Sequence, residues 1–409
     1  MPLFRSDPAV RKRSAVLVAS LLFILIGTGS IYFIVVALKE IATEFGWSRV
    51  VPSTAYALQY LGAGVGGIFM GWCFDRHGMV IPAFVGGSMI GFGAIFTSLV
   101  TSQWELFFIH GAMLGFFGRS ALFGPLTANI TRWFEHNKSL AVGIVGSGQG
   151  LAGILWPTAF HHLIVAVGWR QTALMYGLFT LATMMPLALI LRRKPPVLEP
   201  RTSTAQVFVG PPRLHSPLSP LAIQASLSIA SVGCCVAMSV PLAHIVSHVS
   251  DLGFDPSRGA EVLSLMLACS AMASFFGVGF LGGRHGGLRA LFTFSTGQAI
   301  LLAALAFVDS LPGVYIAAAL FGLGYGGILP CYPLIVRELL PRAEVGRRTG
   351  LILLCAGIGM ALGSWLGGYI FDLTGSYRLA FLIGVAFNVG NLVIIFSLIL
   401  RTRGLRLNS

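Results

Sequence analysis

The chain has 409 residues, of which 56% are apolar and only 10% charged, with a mean hydropathy of +0.84. A soluble protein of this length carries about a quarter charged residues, so this chain lacks the charge to cover a globular surface, and lipid must face much of it. The formal net charge of +13 would suit nucleic acid. However, most basic residues lie in short segments between apolar runs, where they orient a membrane protein, so nucleic acid is not expected as a partner.

In chain order, Arg11, Lys12 and Arg13 precede an apolar run too long for the core of a cleavable signal, and no small-residue cleavage site follows. The run reads as a retained first membrane helix. A spanning helix needs about 20 apolar residues. Segments of that kind are expected at 14–37, 50–74, 79–100, 104–131, 138–165 and 168–191, then at 219–248, 257–282, 287–308, 311–337, 345–371 and 376–400. The stretch 192–218 breaks the pattern with Arg192, Arg193 and Lys194, followed by Pro195, Pro196, Pro200, Pro211, Pro212 and Pro217. Repeated prolines remove helix donors and favour extended chain, so this is the expected linker between a half at 1–191 and a half at 219–409. The cysteines 73, 234, 235, 269, 331 and 355 all fall in or beside apolar segments without metal spacing, and read as small apolar fillers.

Placing the N-terminus inside puts Arg76, Arg132, Lys138, the linker cations, Arg284, Arg289, Arg342, Arg347, Arg348, Arg401, Arg403 and Arg406 on the inner side. The outer side then keeps only Lys39, Arg49, Arg170, Arg258 and Arg378. This asymmetry predicts both termini in the cytoplasm.

The chain also repeats itself at a spacing of about 208–209 residues. Arg76-His77-Gly78 is echoed by Arg284-His285-Gly286, Gly148-x-Gly150 by Gly357-x-Gly359, and Gly168-Trp169-Arg170 by Gly375-Ser376-Tyr377-Arg378. Two homologous six-helix halves are the arrangement of major-facilitator transporters, which place their site at mid-membrane between the halves. The predicted fold class is therefore an all-α integral membrane protein of twelve helices in two pseudo-symmetric halves.

The loop from Gly71 to Gly78, with Asp75 and Arg76, resembles the signature loop between helices 2 and 3 of that superfamily. The resemblance implies a gating role for Asp75 and Arg76; the other reading is a plain positive-inside loop. In the second copy Gly283 stands before Arg284 where Asp is expected, so Arg284 is a gating candidate with a weaker charge lock. The run from Trp133 to Ile144, leading into Ser147-Gly148, resembles the helix 4–5 signature of the monocarboxylate porter family. Phe45-Gly46-Trp47-Ser48-Arg49 and Gly168-Trp169-Arg170 resemble that family's bacterial branch. Membership would imply transport of small organic anions, with a proton or by exchange, across a bacterial inner membrane. Many members carry a helix 1 lysine where this chain has Tyr32, and an Asp and an Arg in helix 8 where it has Ala271 and Phe275. The usual cationic ligands are thus missing.

One intramembrane charge remains, Arg119, near the centre of helix 4, a helix that lines the cavity in this fold. An Arg at mid-bilayer costs roughly 2.5–3.5 kcal/mol on insertion scales, so it must face water or a partner. No carboxylate is placed deep enough to pair with it. A substrate carboxylate would suit its planar fork, while bonds to helix carbonyls are the structural alternative. His244 and His248, one turn apart near the outer end of helix 7, could contact substrate or relay a proton; a wet vestibule is the plain reading. Further cavity candidates are Tyr32, Tyr56, Gln59, Tyr60, Gln149, Trp156, Tyr325 and Tyr332, each of which could equally be an interfacial anchor. No metal motif, Gly-x-Ser-x-Gly motif or nucleotide loop is present, so neither an enzyme, a cofactor nor a metal is expected. The expected function is alternating-access transport of a small organic anion by a monomer, with a proton or counter-anion as possible co-substrate. The alternative is a larger aromatic or neutral solute.

Overall fold

The computed structural model describes residues 8–134, 138–193, 218–274, 285–341 and 344–402. Among these every regular element is helical. The first span is broken into α1 (Pro8–Gly27) and α2 (Gly29–Val36), followed by a short α3 (Leu38–Phe45). Then come α4 (Val50–His77), α5 (Val80–Ser98) and α6 (Gln103–Phe108). α6 runs into a π-helix (Ile109–Gly118), a 3₁₀ turn (Arg119–Ala121) and α7 (Phe123–Trp133). α8 (Lys138–Val167) and α9 (Trp169–Leu191) complete the first group. The second group holds α10 (Pro220–Asp251), α11 (Pro256–Met272), α12 (Gly287–Leu305), α13 (Leu311–Gly326), α14 (Ile328–Leu339), α15 (Val345–Thr374) and α16 (Arg378–Thr402).

Eleven helices among the described residues are long and apolar enough to cross a membrane. Twelve segments were expected. The remaining one, at 257–282, starts on α11, and its last eight residues lie outside the described residues, Phe275 among them, as does Arg284. Of the expected linker, only Arg192, Arg193 and Leu218 are described. The spans divide into buried and lipid-facing types. α10 is buried along most of its length, whereas α16 exposes Val389, Val393, Phe396 and Leu400. In water those exposed side chains would be costly; in lipid they are solvated.

The repeat seen in the sequence is written into the backbone. All residues with positive φ among those described are glycines, and they pair at the repeat spacing: Gly46 with Gly253, Gly78 with Gly286, and Gly168 with Gly375. A left-handed φ costs an L side chain roughly 1–2 kcal/mol, so glycine marks each turn. The arginine of the Gly-Trp-Arg motif repeats its role too. Arg170 Nη1 donates to Ser98 O at 2.8 Å, and Arg378 Nε donates to Ala306 O at 2.9 Å. In each half this arginine staples the end of one helix to the start of another.

The halves meet along two seams, α4 against α15 and α8 against α11, which are copies of one another under the repeat. At the end remote from the termini the seams are closed. There Ser364 Oγ donates to Ser53 O at 2.9 Å, and Thr158 Oγ1 lies 3.1 Å from Ser264 Oγ. Toward the termini, α7 and α14 pack chiefly within their own halves. A Cβ added at Gly67, Gly71, Gly346 or Gly350 there would meet nothing within 4 Å.

Candidate functional site

Arg119 stands at a helix discontinuity. The π-helix Ile109–Gly118 ends at it and a 3₁₀ turn begins. Long π segments are rare and occur mostly at functional positions, because an extra residue per turn re-aims the side chains that follow. The matched span of the other half breaks at the equivalent place, Gly327, between α13 and α14. Only the first copy carries a charge at the break.

The half-buried Arg119 guanidinium lies over the Tyr60 ring, 4.7 Å from its centroid. Among the described residues it has no carboxylate within salt-bridge distance. Tyr60 and Tyr56, one turn apart on α4, have hydroxyls 3.4 Å from each other. Tyr32 from α2 lies within electrostatic range of Tyr60 on α4, of Tyr325 on α13 and of Arg119, and Tyr325 lies within range of Tyr60. The Tyr325 hydroxyl is buried beside Ser270. Tyr32 reaches toward α8, where a Cβ added at Gly153 would come within 2.9 Å of its hydroxyl. One cation and four phenols, drawn from both halves, thus cluster around the helix break. A cation with hydroxyl donors around it can hold a carboxylate by charge and hydrogen bonds.

The other expected ligands are placed elsewhere or used differently. Gln59 is fully buried; its Nε2 lies 2.7 Å from His110 Nδ1 and 3.3 Å from Ser30 O, tying three spans together. Trp156 donates from Nε1 to Leu25 O at 2.8 Å, bridging α8 to the end of α1, and stacks on Phe160. Gln149 is half-buried on α8. Tyr332 is fully buried within the C-terminal group, its hydroxyl 3.3 Å from Cys234 Sγ.

His244 and His248 lie in the closed remote end rather than in a wet vestibule. His244 Nε2 is 2.9 Å from Ser364 O, and its ring stacks on Tyr377 at 4.9 Å. His248 sits edge-on to Phe381. Among the gating candidates, Asp75 contacts Arg132 of its own half at 3.5 Å, and Arg76 lies 5.6 Å from the Trp72 ring. Because the halves diverge at that end, Asp75 has its partner inside its own half in this conformation.

The sequence reading missed a cluster at the opposite end: Arg49, Asp251, Asp372 and Tyr377. Arg49 looked like an ordinary outer-loop cation. The structure buries most of its side chain, leaving 13% exposed, against Asp251. Burial alone would lower its affinity for a proton, yet bonds to Asp251 and Tyr377 raise it above that of a free arginine. Burial pushes the Tyr377 phenol up to about 12, so it stays a neutral acceptor and donor at physiological pH.

The family model described as Major Facilitator Superfamily matches residues 18–255 and 225–409. Monocarboxylate transporter 13 of Bos taurus is 26% identical over 385 residues, covering 91% of this chain and 85% of that protein. Monocarboxylate transporter 11 of Homo sapiens is 27% identical over 364 residues, covering 84% and 72%. In fold, the chain is similar to a bacterial homologue of the human lysosomal transporter Spinster in an inward-facing and occupied conformation. That match has a TM-score of 0.75 at 16% identity and covers 96% of this chain and 97% of that one. A repeat expressed in sequence, backbone and helix breaks, together with a family match across both copies, makes this multi-pass membrane protein a transporter of the Major Facilitator Superfamily.

Proposed function

We propose that the chain is a secondary active transporter of small organic anions. It works by alternating access of a twelve-helix, two-half molecule with halves at 1–191 and 219–409 joined by the linker 192–218. Both termini face the cytoplasm, and the membrane is a bacterial inner membrane. The observation that carries the substrate class is Arg119: a midplane cation at a helix break, held over Tyr60, with no carboxylate counter-ion among the described residues. A substrate carboxylate completes that pair. Tyr32, Tyr56 and Tyr325 supply hydroxyls around it while the Tyr60 ring holds the cation, and the names of the relatives agree with a monocarboxylate-like cargo. With Tyr32 where related porters keep a cation, the coupling charge is that of the cargo itself, moved with its own proton or against another anion.

Arg119→Gln is expected to abolish counterflow of a panel of small monocarboxylates in liposomes, while the protein still inserts and elutes as one peak. Normal counterflow by that variant would remove the anion assignment. The tyrosine cluster favours a second cargo class, aromatic acids or neutral aromatic solutes, whose rings would stack on these phenols. Thermal shifts in detergent separate the two: aliphatic monocarboxylates stabilise the protein on the first reading, and only ring-bearing compounds do so on the second.

A further inference from the structure

The two seams are related by the repeat, so their ends remote from the termini start from equivalent residues. Glu44-Phe45-Gly46-Trp47 before α4 corresponds to Asp251-Leu252-Gly253-Phe254 before α11, and Ser48-Arg49 to Ser257-Arg258, with Asp255-Pro256 inserted in the second copy. In the structure the equivalents are wired differently. Glu44 stays within its half, accepting from Arg170 Nε at 2.8 Å and from Trp169 Nε1. Arg258 also stays within its half, pairing with Glu261 at 3.0 Å. Asp251 and Arg49 instead cross between halves. Arg49 Nη2 donates to Asp251 Oδ1 at 2.8 Å, and Nη1 donates to the other carboxylate oxygen and to the Tyr377 hydroxyl at 2.9 Å. The guanidinium also lies 3.8 Å from the Phe371 ring centroid. Lys39 adds a second cation on Asp251 at 3.2 Å.

The helix starts differ in the same sense. α11 is capped from its own chain segment, with Asp255 Oδ1 accepting from Ser257 N–H at 2.8 Å. α4 has no side-chain cap of its own. Its first free N–H groups, those of Arg49 and Val50, donate to Asp372 Oδ1 and Oδ2, both at 2.8 Å, and Asp372 belongs to α15 of the other half. A carboxylate on two helix N-terminal donors is favoured both by hydrogen bonding and by the helix dipole. Counting back from Gly168 and Gly375, the repeat position of Asp372 in α8 is Val165, whose side chain can accept nothing.

We propose that Arg49, Asp251 and Asp372 form a one-sided latch that locks the halves together at the end remote from the termini, on the α4–α15 seam alone. Among the described residues, the equivalent end of the α8–α11 seam has no arginine or lysine paired with a carboxylate of the other half, only His161 and His162 in electrostatic range of Asp255 and Glu261, and it acts as the weaker side about which the latch opens. Parting the halves at this end uncaps α4 and takes both cations from Asp251 in one motion. The latch therefore sets how much of the empty carrier stays closed there. This rests on the alternating-access reading.

The test uses two reporter pairs on the full chain in liposomes, with bio-orthogonal spin labels that leave the native cysteines in place. Ser48 with Thr374 reads the latched end, and Thr131 with Arg347 reads the other. In the parent the Ser48–Thr374 distance is short and the Thr131–Arg347 distance long. Combining Arg49→Gln with Asp372→Ala should raise the fraction of long Ser48–Thr374 distances at least tenfold, and shorten Thr131–Arg347 in step. The exchange Arg49→Asp with Asp251→Arg should restore the short Ser48–Thr374 distance, which a merely misfolded variant would not do. An unchanged Ser48–Thr374 distribution in the uncoupled variant overturns the latch. If that pair lengthens while Thr131–Arg347 stays fixed, the latch stands and the alternating-access reading fails.

Discussion

At the scale of single residues, the site depends on how a lone cation is held before cargo arrives. A guanidinium over an aromatic face gains about 0.5–1 kcal/mol when exposed and about 2 or more when desolvated. Tyr60 supplies that face for Arg119 and so aims the fork. Tyr60→Phe keeps the ring and is expected to leave the apparent affinity for an anionic cargo within about twofold. Tyr60→Leu removes about 1 kcal/mol of positioning and should weaken it about fivefold, read from the concentration dependence of counterflow. Equal behaviour of the two variants would show that the ring does not position the cation. Arg119 was legible in the sequence because a charge inside an apolar run is conspicuous. The separation of Gln59, Trp156, Tyr332, His244 and His248 from the cation was not legible. Each is polar and intramembrane, and only the fold decides whether such a group faces the cavity or bonds a neighbouring carbonyl, as Trp156 does to Leu25.

At the scale of elements, helix contacts depend on missing side chains. α4 approaches the π-helix so closely that a Cβ at Gly66 would sit 2.0 Å from Phe116 O. Backbone cannot yield there without moving Arg119, three residues along. On the other side of α4, a Cβ at Gly67 would meet nothing within 4 Å. Gly66→Ala is expected to cost about 3 kcal/mol through overpacking and to lower the thermal midpoint in detergent by several degrees. Gly67→Ala should be neutral or slightly stabilising, since alanine is the better helix former. A Gly66→Ala midpoint equal to that of Gly67→Ala would refute this packing. The existence and order of the long spans could be read from apolar length alone. The breaks at Thr28, Arg119 and Gly327 could not, because hydropathy does not distinguish α, π and 3₁₀ turns.

For the molecule as a whole, the charge distribution acquires a second meaning. Each cation expected on the outer side has a carboxylate within ion-pair distance: Lys39 and Arg49 with Asp251, Arg170 with Glu44, Arg258 with Glu261, and Arg378 with Asp309. Five cations thus face four carboxylates at that end, Lys39 and Arg49 sharing Asp251, which leaves few unpaired Lys and Arg where an outer surface is expected. A C-terminal green fluorescent protein fusion is therefore expected to fluoresce in a bacterial host, and an alkaline phosphatase fusion at the same point to be inactive; the reverse pattern would invert the topology.

The sequence by itself determined that lipid is the solvent, that the spans are helices, that the chain is a duplicated transporter, and that one arginine sits inside an apolar span. Those properties follow from composition, apolar length and repeated motifs, which survive without knowledge of packing. Tertiary structure alone decided which copy of each repeated residue turns inward and which crosses to the other half. Glu44 and Asp251 occupy equivalent positions, yet one braces its own half and the other holds both halves together. The physical reason is that pairing depends on which charge the opposing helix presents a few ångströms away, and a linear repeat carries no record of that distance.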